Sequence, residues 1–240
     1  MAIIHRTTMS PGKLELLAAW LPAQPWYHRS GRDPELVKAG GFRLDDPQGE
    51  VGIEFMVVTD GPGSGAAAYQ VPMTYRAQAL PGADGNLIGT AEHGVLGPRW
   101  IYDGTGDPVL AAQLAALIQG EAEPQAQSVS DTPDPTVIVQ PVTRAALTLT
   151  GSVVVASGPQ GTDLRIQAAG ADGAPGGQLM VRIHRALRPG DTADGALQPC
   201  LWGPGGCPMA PRRAASWPAR STGSIQWRRP KPQRRAAPTG

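Results

Sequence analysis

A short stretch between positions 92 and 103 holds the side chains best suited to contacting a small polar ligand. Aromatic rings beside hydrogen-bonding groups can stack on a sugar, and a histidine can exchange a proton near neutral pH. The same residue types also serve as core anchors or as side chains satisfied within a fold, so both interpretations stay open. The candidate binding residues are His93, Arg99, Trp100, Tyr102 and Asp103.

The motifs that support phosphoryl transfer or hydrolysis do not occur in the sequence. There is no G-x-x-x-x-G-K-[ST] loop, no His-x-Asp catalytic loop and no G-x-S-x-G nucleophile turn. The glycine-rich residues 61–65 lie between two strand patterns, with no helix start behind them to receive a phosphate. Asp45, Asp46 and Glu50 suit a solvated turn better than a cation site. We therefore predict no catalytic residue, no cofactor and no metal site.

Two helices are predicted from their start and stop residues. Ser10 and Pro11 form a typical N-cap and first-turn pair, which predicts a helix from there to the next prolines. Asp107 and Pro108 predict a second helix by the same reasoning, and its apolar stripe ends at Gly120.

Alternating apolar residues predict the strands. The runs at 51–58 and 69–75 are joined by a glycine-rich turn and predict a β-hairpin. Pro72 cannot donate a ladder hydrogen bond, so we expect its strand at a sheet edge or bulged there. Adjacent glycines inside an extended run at 36–44 favour another bulge. Further strand patterns lie at 136–139, 146–155, 163–168 and 178–187.

The last fifth of the chain differs in composition from the rest. After position 195 there are eight basic and no acidic residues, although the whole chain holds 21 basic and 20 acidic residues. We expect residues 121–135 to be a linker or long loop, and residues 136–188 to add strands to the same domain. The prolines and absent acids predict a disordered basic tail at 189–240, with a shifted reading frame as the alternative. Nucleic-acid binding is not expected.

The sequence also indicates the cellular compartment of the protein. No stretch of 18 apolar residues and no signal-peptide core occurs. The two cysteines, Cys200 and Cys207, are too few and too late in the chain for a disulfide framework. We expect a cytoplasmic protein without membrane contact.

Several short motifs, taken in their order, resemble the N-terminal cap domain of maltokinases. Residues 20–27 read W-L-P-A-Q-P-W-Y and are similar to the signature that opens these kinases, and residues 69–76 resemble a Y-x-[VL]-P-L strand of the same cap. The residues that resemble the segment leading into the closing helix are 87–90, 100–104 and 107–108. Residues 92–97 and 128–134 also resemble stand-alone cap-like proteins, some of them labelled 1,4-alpha-glucan branching proteins.

The resemblance implies a cystatin-like cap at residues 1–120, an α+β fold in which a curved antiparallel sheet holds two main helices. In full-length maltokinases this cap precedes a domain that phosphorylates maltose with ATP, and the motifs of that domain are absent here. We therefore expect a non-catalytic cap-like module with a regulatory or interaction role in glucan or trehalose metabolism. Its expected partner is a separate kinase or a trehalose or glucan enzyme. The alternatives are a kinase-associated protein of ATP-dependent maltose phosphorylation and a small sugar-binding protein.

Overall fold

In the part of the chain that the structure describes, two antiparallel sheets and two α-helices form the fold. The computed structural model describes residues 8–62, 65–139, 148–159, 161–169, 178–187, 197–202 and 225–227. The helices are α1 (Lys13–Trp20) and α2 (Pro108–Gln119). The strands are β1 (Met9–Ser10), β2 (Leu36–Leu44), β3 (Gly52–Asp60), β4 (Ala67–Arg76), β5 (Leu87–His93), β6 (Gly97–Asp103), β7 (Gln125–Ala126), β8 (Val137–Val139), β9 (Thr148–Gly158), β10 (Gly161–Ala169), β11 (Gln178–Ile183), β12 (Ala186–Leu187), β13 (Leu197–Trp202) and β14 (Ile225–Trp227).

The first sheet is strongly curled and has the strand order β1-β5-β6-β4-β3-β2-β7. The predicted hairpin is confirmed, because β3 and β4 pair along their whole length. The bulge expected from the two glycines is confirmed by a register shift between Lys38 and Gly40 of β2. Side chains alternate between the two faces, as strand geometry requires. Phe55 faces the α2 side of the sheet, and its neighbour Met56 faces the α1 side.

Helix α1 starts later than the sequence predicts. Ser10 is not its N-cap, because Met9 and Ser10 are already extended and pair with β5 as strand β1. Gly12 is the N-cap instead, and the Glu15 carboxylate accepts a hydrogen bond from the Gly12 amide at 3.3 Å. Leu17 of the helix is buried against the same face of the first sheet as Met56. The position of α1 is therefore set by this packing and by the pairing of strand β1.

Helix α2 follows the sequence prediction closely. The Asp107 side chain accepts a hydrogen bond from the Val109 amide, and Pro108 begins the helix. Gly120 ends it in the left-handed conformation, with φ at 78°. This conformation suits glycine and satisfies the last carbonyl groups of the helix. Leu114 has no exposed surface, so its truncation to alanine is expected to cost about 2–5 kcal/mol.

The second sheet extends the core beyond α2. Its strand order is β8-β14-β13-β11-β10-β9. One hydrophobic cluster joins α2 to the first sheet through Phe42 and Phe55, whose rings stack at 4.5 Å, and to the second sheet through Leu164 and Ile183. Apart from β12, which pairs with β4 of the first sheet, the strands after position 136 form a sheet of their own, which shares its core with the first one.

Pro72 lies inside a sheet, and the prediction of an edge or bulged strand is wrong. Strand β4 pairs with β3 on one side without a register shift. On its other side β4 is shared by two strands, since β12 pairs with it up to Tyr69 and β6 pairs with it from Met73. Pro72 falls between these two pairings, at a position where neither ladder needs its missing amide hydrogen.

Two segments expected to be irregular contribute strands. Within the expected linker, β7 pairs with β2 opposite Phe42 and Arg43. Within the expected tail, β13 and β14 belong to the second sheet, and the rest of 189–240 lies outside the described residues. The α+β fold with a curved antiparallel sheet and two main helices is confirmed. Among the described helices, none has the length and apolar character needed to cross a bilayer.

Candidate functional site

The five candidate binding residues do not face one common space. They lie on β5 and β6, and Ile101 of β6 packs in the cluster under α1. Strand alternation then places Arg99 and Asp103 on the α1 side of the sheet, and Trp100 and Tyr102 on the opposite side. The sheet itself therefore separates the two aromatic candidates from the two charged ones.

Tyr102 and Asp103 already serve the fold. The Tyr102 hydroxyl accepts a hydrogen bond from the Leu80 amide at 2.9 Å, and the ring is 2 % exposed. The Asp103 carboxylate accepts hydrogen bonds from the amide and the hydroxyl of Thr105, which holds the turn after β6. Arg99 donates to the neighbouring Pro98 carbonyl at 3.0 Å. A ligand-binding role for these residues stays a prediction.

His93 organises the tip of the β5–β6 hairpin. Its Nδ1 accepts hydrogen bonds from the amides of Val95 and Leu96, at 3.4 and 3.1 Å. Gly97 follows with φ at 70°, a conformation that suits the glycine ending a three-residue hairpin loop. We call residues 93–97 the hairpin tip. It presents two apolar side chains to solvent, with Val95 61 % and Leu96 43 % exposed.

A buried arginine joins the two strands that share one edge of β4. Arg185 precedes β12, and its Nη2 donates to both carboxylate oxygens of Asp103, at 2.8 and 2.6 Å. Its Nε donates to the Thr162 hydroxyl of β10 at 2.9 Å. The guanidinium also lies over the Trp26 ring, 5.1 Å from its centroid. This cluster ties both sheets and the segment after α1 together.

A second buried acid fastens α1 and the segment after β7 to the first sheet. The Glu54 carboxylate accepts hydrogen bonds from Lys13 at 2.5 Å, Tyr75 at 2.7 Å and Gln127 at 2.9 Å. Burial raises the pKa of Glu54, but the Lys13 ammonium and the hydrogen bonds outweigh it, so the net pKa lies below its ordinary value. Burial and the Glu54 charge raise the pKa of Tyr75 well above its ordinary value.

Two further buried acids, Asp107 and Asp60, also accept hydrogen bonds from side chains of the same chain. Asp107 binds Arg76 with two hydrogen bonds of 2.7 Å while capping α2. Asp60 accepts from the Tyr27 hydroxyl at 2.7 Å and from Arg32 at 3.2 Å. Burial, followed by the hydrogen bond and charge of Asp60, raises the pKa of Tyr27 to about 12.

The turn that was weighed as a weak cation site has a structural account. Asp46 accepts three hydrogen bonds from backbone amides, at distances of 3.1, 3.0 and 2.9 Å. The donors are Gln48, Glu50 and Val51. These bonds close the connection between β2 and β3. In the described part of the chain no group of three His, Cys, Asp or Glu side chains is placed to hold a metal ion.

The sequence did not point to Arg185 or Glu54. Glu54 did leave a signal, because it is a charged residue inside an alternating apolar strand. Arg185 left none, since its partner Asp103 is 82 residues away along the chain. The hairpin tip lies within the stretch that the sequence analysis selected for its polar and aromatic residues. The exposure of its apolar side chains was not predicted.

One protein family matches the part of the chain that forms most of the first sheet. Residues 20–107 match the family model described as the maltokinase N-terminal cap domain. The match begins at the last residue of α1, ends at the N-cap of α2 and includes strands β2 to β6. No curated protein and no solved structure matches the chain. The resemblance drawn from the motifs is confirmed for this segment, and residues 20–107 are the part of the chain that matches the maltokinase N-terminal cap domain.

Proposed function

We propose that this protein is a non-catalytic cap-like module that binds a separate enzyme of glucan or trehalose metabolism. A sugar kinase is the first candidate partner, because the matched domain is by its description the N-terminal cap of a maltokinase. A cap acts through the surface that it presents to a catalytic domain. The proposed role is therefore regulation or positioning of the partner enzyme.

One observation carries the non-catalytic part of the proposal: the buried carboxylates hold the fold together. Each of them accepts hydrogen bonds from backbone amides, from an arginine, from a lysine or from a hydroxyl of the same chain. A catalytic acid or base needs an oxygen that can reach a substrate, whereas these oxygens already have donors at short distance. The buried acids among the described residues are Asp46, Glu54, Asp60, Asp103 and Asp107.

The hairpin tip supports the interaction part of the proposal. Val95 and Leu96 are held outward by the two hydrogen bonds to His93, so their exposure belongs to an ordered turn. Strand β1 supports the same turn, since Met9 pairs with His93 and the Gly94 amide donates to the Thr8 carbonyl. Apolar side chains on an ordered turn need no ordering of the backbone when a partner covers them, so less conformational entropy is lost than on a flexible loop.

Binding to a purified kinase tests the docking surface. We expect the full chain to bind the catalytic region of a maltokinase, measured by isothermal titration calorimetry. Val95→Asp should weaken this binding by about tenfold or more, because it would place a charge in the contact. Val37→Asp is the matched control, since Val37 of β2 is 60 % exposed. Equal effects of the two substitutions, or no binding by the unsubstituted chain, would contradict the proposed surface.

Catalysis is tested separately on the isolated chain. Purified protein mixed with maltose, ATP and magnesium should give no phosphorylated sugar above the level of a buffer control. Turnover that survives further purification and scales with protein concentration would refute the non-catalytic role and would support the kinase alternative.

A further inference from the structure

A cleft on the α1 side of the molecule has no role in the proposed docking. Its volume is about 650 Å³, which is within the usual range for small-molecule sites. One wall is the end of α1 with the short 3-10 turn after it (Leu21–Ala23), and the other is the loop before β2. The lining residues are Ala19, Pro22, Ala23, Tyr27, Arg29, Gly31, Arg32, Asp33 and Pro34.

Hydrogen bonds fasten the loop wall, and the bond from Arg29 to the Pro22 carbonyl ties this wall to the turn after α1, so the cleft is formed before any ligand arrives. Buried Asp60 accepts from the Glu35 amide at 3.0 Å as well as from Tyr27 and Arg32, which fixes the loop wall. The Tyr69 hydroxyl accepts from the His28 amide at 3.1 Å at the other end of that loop. A site that needs no ordering on binding keeps more of its interaction energy as affinity.

One arginine of the lining, Arg29, is placed to hold an anion. Two arginines and one aspartate line the cleft. Arg32 is shared with Asp60 and Glu35, at 3.2 and 3.6 Å. Among the described residues, Arg29 donates a hydrogen bond to the Pro22 carbonyl through Nη2 at 2.7 Å, and no acid pairs with it. Only one of the five N–H groups of Arg29 is used in this bond, so its planar guanidinium keeps one pair of parallel N–H donors, either Nε with Nη2 or Nη1 with Nη2, for two oxygens of an oxyanion.

The rest of the lining is apolar or aromatic. Ala19, Pro22, Ala23 and Pro34 offer carbon surface beside the arginines, and Tyr27 is the aromatic residue of the lining. A ligand that fits this lining carries an oxyanion at one end and a ring with an apolar face at the other. Sugars have such a face, and it packs well on apolar and aromatic side chains.

We propose that this cleft binds a sugar that carries an oxyanion, with the anion held by Arg29 and assisted by Arg32, and with the sugar ring on the proline and alanine wall. The oxyanion is a phosphate monoester or a carboxylate, because both match the guanidinium in the same way. The choice of a sugar rests on the proposed role in carbohydrate metabolism, whereas the choice of an anion rests on the cleft alone.

The experiment uses the isolated full chain, with no partner enzyme present, so its failure leaves the docking proposal intact. Titration calorimetry compares glucose 6-phosphate, glucuronate and neutral glucose. We expect saturable binding of at least one of the two anionic sugars and none of glucose. Preference for the phosphate or for the carboxylate identifies which oxyanion the cleft takes.

Arg29→Gln should weaken binding of the anionic sugar by about ten- to a hundredfold, because it removes a charge-assisted pair of hydrogen bonds. Arg29→Lys should recover part of the affinity through its charge. Arg182→Gln is the control, since Arg182 is also an exposed arginine but lies on β11 of the second sheet and does not line the cleft. The proposal is overturned if neither anionic sugar saturates the protein, or if Arg29→Gln and Arg182→Gln behave alike while both variants show the circular dichroism of the parent.

Discussion

Replacing Arg185 by methionine tests how the two sheets are joined. Its side chain is 1 % exposed, and the substitution keeps an apolar chain of similar length while removing every donor. Asp103 would lose the two bonds from Nη2, and the hydroxyls of Thr105 and Thr162 would lose theirs, at 3.2 and 2.9 Å. The Asp103 carboxylate would stay largely buried without a cation.

Removing one partner of a buried ion pair typically costs about 3–5 kcal/mol, because the charge that remains is uncompensated. The loss is not the full desolvation energy here, since Asp103 keeps its two hydrogen bonds from Thr105. Against a total stability of about 5–15 kcal/mol, this change is large. Adding Asp103→Asn to Arg185→Met removes the stranded charge, so about 1–3 kcal/mol of the loss should return as coupling energy.

Urea unfolding gives the measurement, followed by circular dichroism and by tryptophan fluorescence. Trp26 lies under the guanidinium, so its fluorescence reports on the substituted position. The control is Arg182→Met, which breaks a more exposed pair with Asp163 at 2.6 Å and should cost about 0–1 kcal/mol. The reasoning is refuted if Arg185→Met costs no more than this control, or if the double substitution is simply additive.

Three further predictions concern titration and backbone pairing. The lowered pKa of Glu54 means that its carboxylate stabilises the fold above the unfolded pKa of about 4.3, and that this contribution is lost as the pH falls through the folded value. Urea midpoints measured from pH 7 to pH 3 should fall less steeply in Lys13→Met than in the parent. The pKa of Tyr27 shifts in the opposite direction. Because it is raised, the neutral side chain stabilises the fold below the unfolded pKa of about 10, and this contribution is lost as the pH rises through the folded pKa of about 12. Absorbance titration at alkaline pH should show one fewer late-titrating tyrosine in Tyr27→Phe than in the parent, in which Tyr75 also titrates late. A titration unchanged by that substitution would count against the assignment. Pro72→Ala should destabilise the protein by about 1–3 kcal/mol, because it adds an amide hydrogen between β6 and β12, where no carbonyl of either ladder lies opposite to accept it. A gain of stability in urea unfolding would show that the added amide finds an acceptor there.

Elements specified by neighbouring residues could be predicted from the sequence. Helix α2 is the clearest case, since its N-cap, its first proline and its terminal glycine are all local signals. The start of α1 could not be predicted in the same way. Met9 and Ser10 pair with Glu92 and His93, more than eighty positions away, and that pairing takes the backbone of Ser10 out of the helix. The long-range strand pairing therefore outweighs the local capping preference of Ser10.

The candidate site shows the same division. No strand was predicted from the sequence at 87–103, because Trp100, Ile101 and Tyr102 do not alternate with polar residues. The structure has β5 and β6 there, and strand geometry turns Trp100 and Tyr102 away from Arg99 and Asp103. What the sequence could not show is which face each strand turns to the core, because that depends on packing. The partners of Glu54 come from α1, β4 and the segment after β7, and no spacing rule connects them.

The match at residues 20–107 and the contacts of Arg185 together predict that this segment does not fold alone. The first sheet is completed by β7 and β12, which lie outside the match, and Asp103 is neutralised by Arg185 from beyond it. A fragment of residues 1–120 would also expose the apolar face that α2 turns to the second sheet. We therefore expect this fragment to show no cooperative urea transition and to be digested by protease far faster than the full chain. A cooperative transition with the stability of the full chain would mean that the first sheet and α2 are sufficient, and that the second sheet is an independent addition.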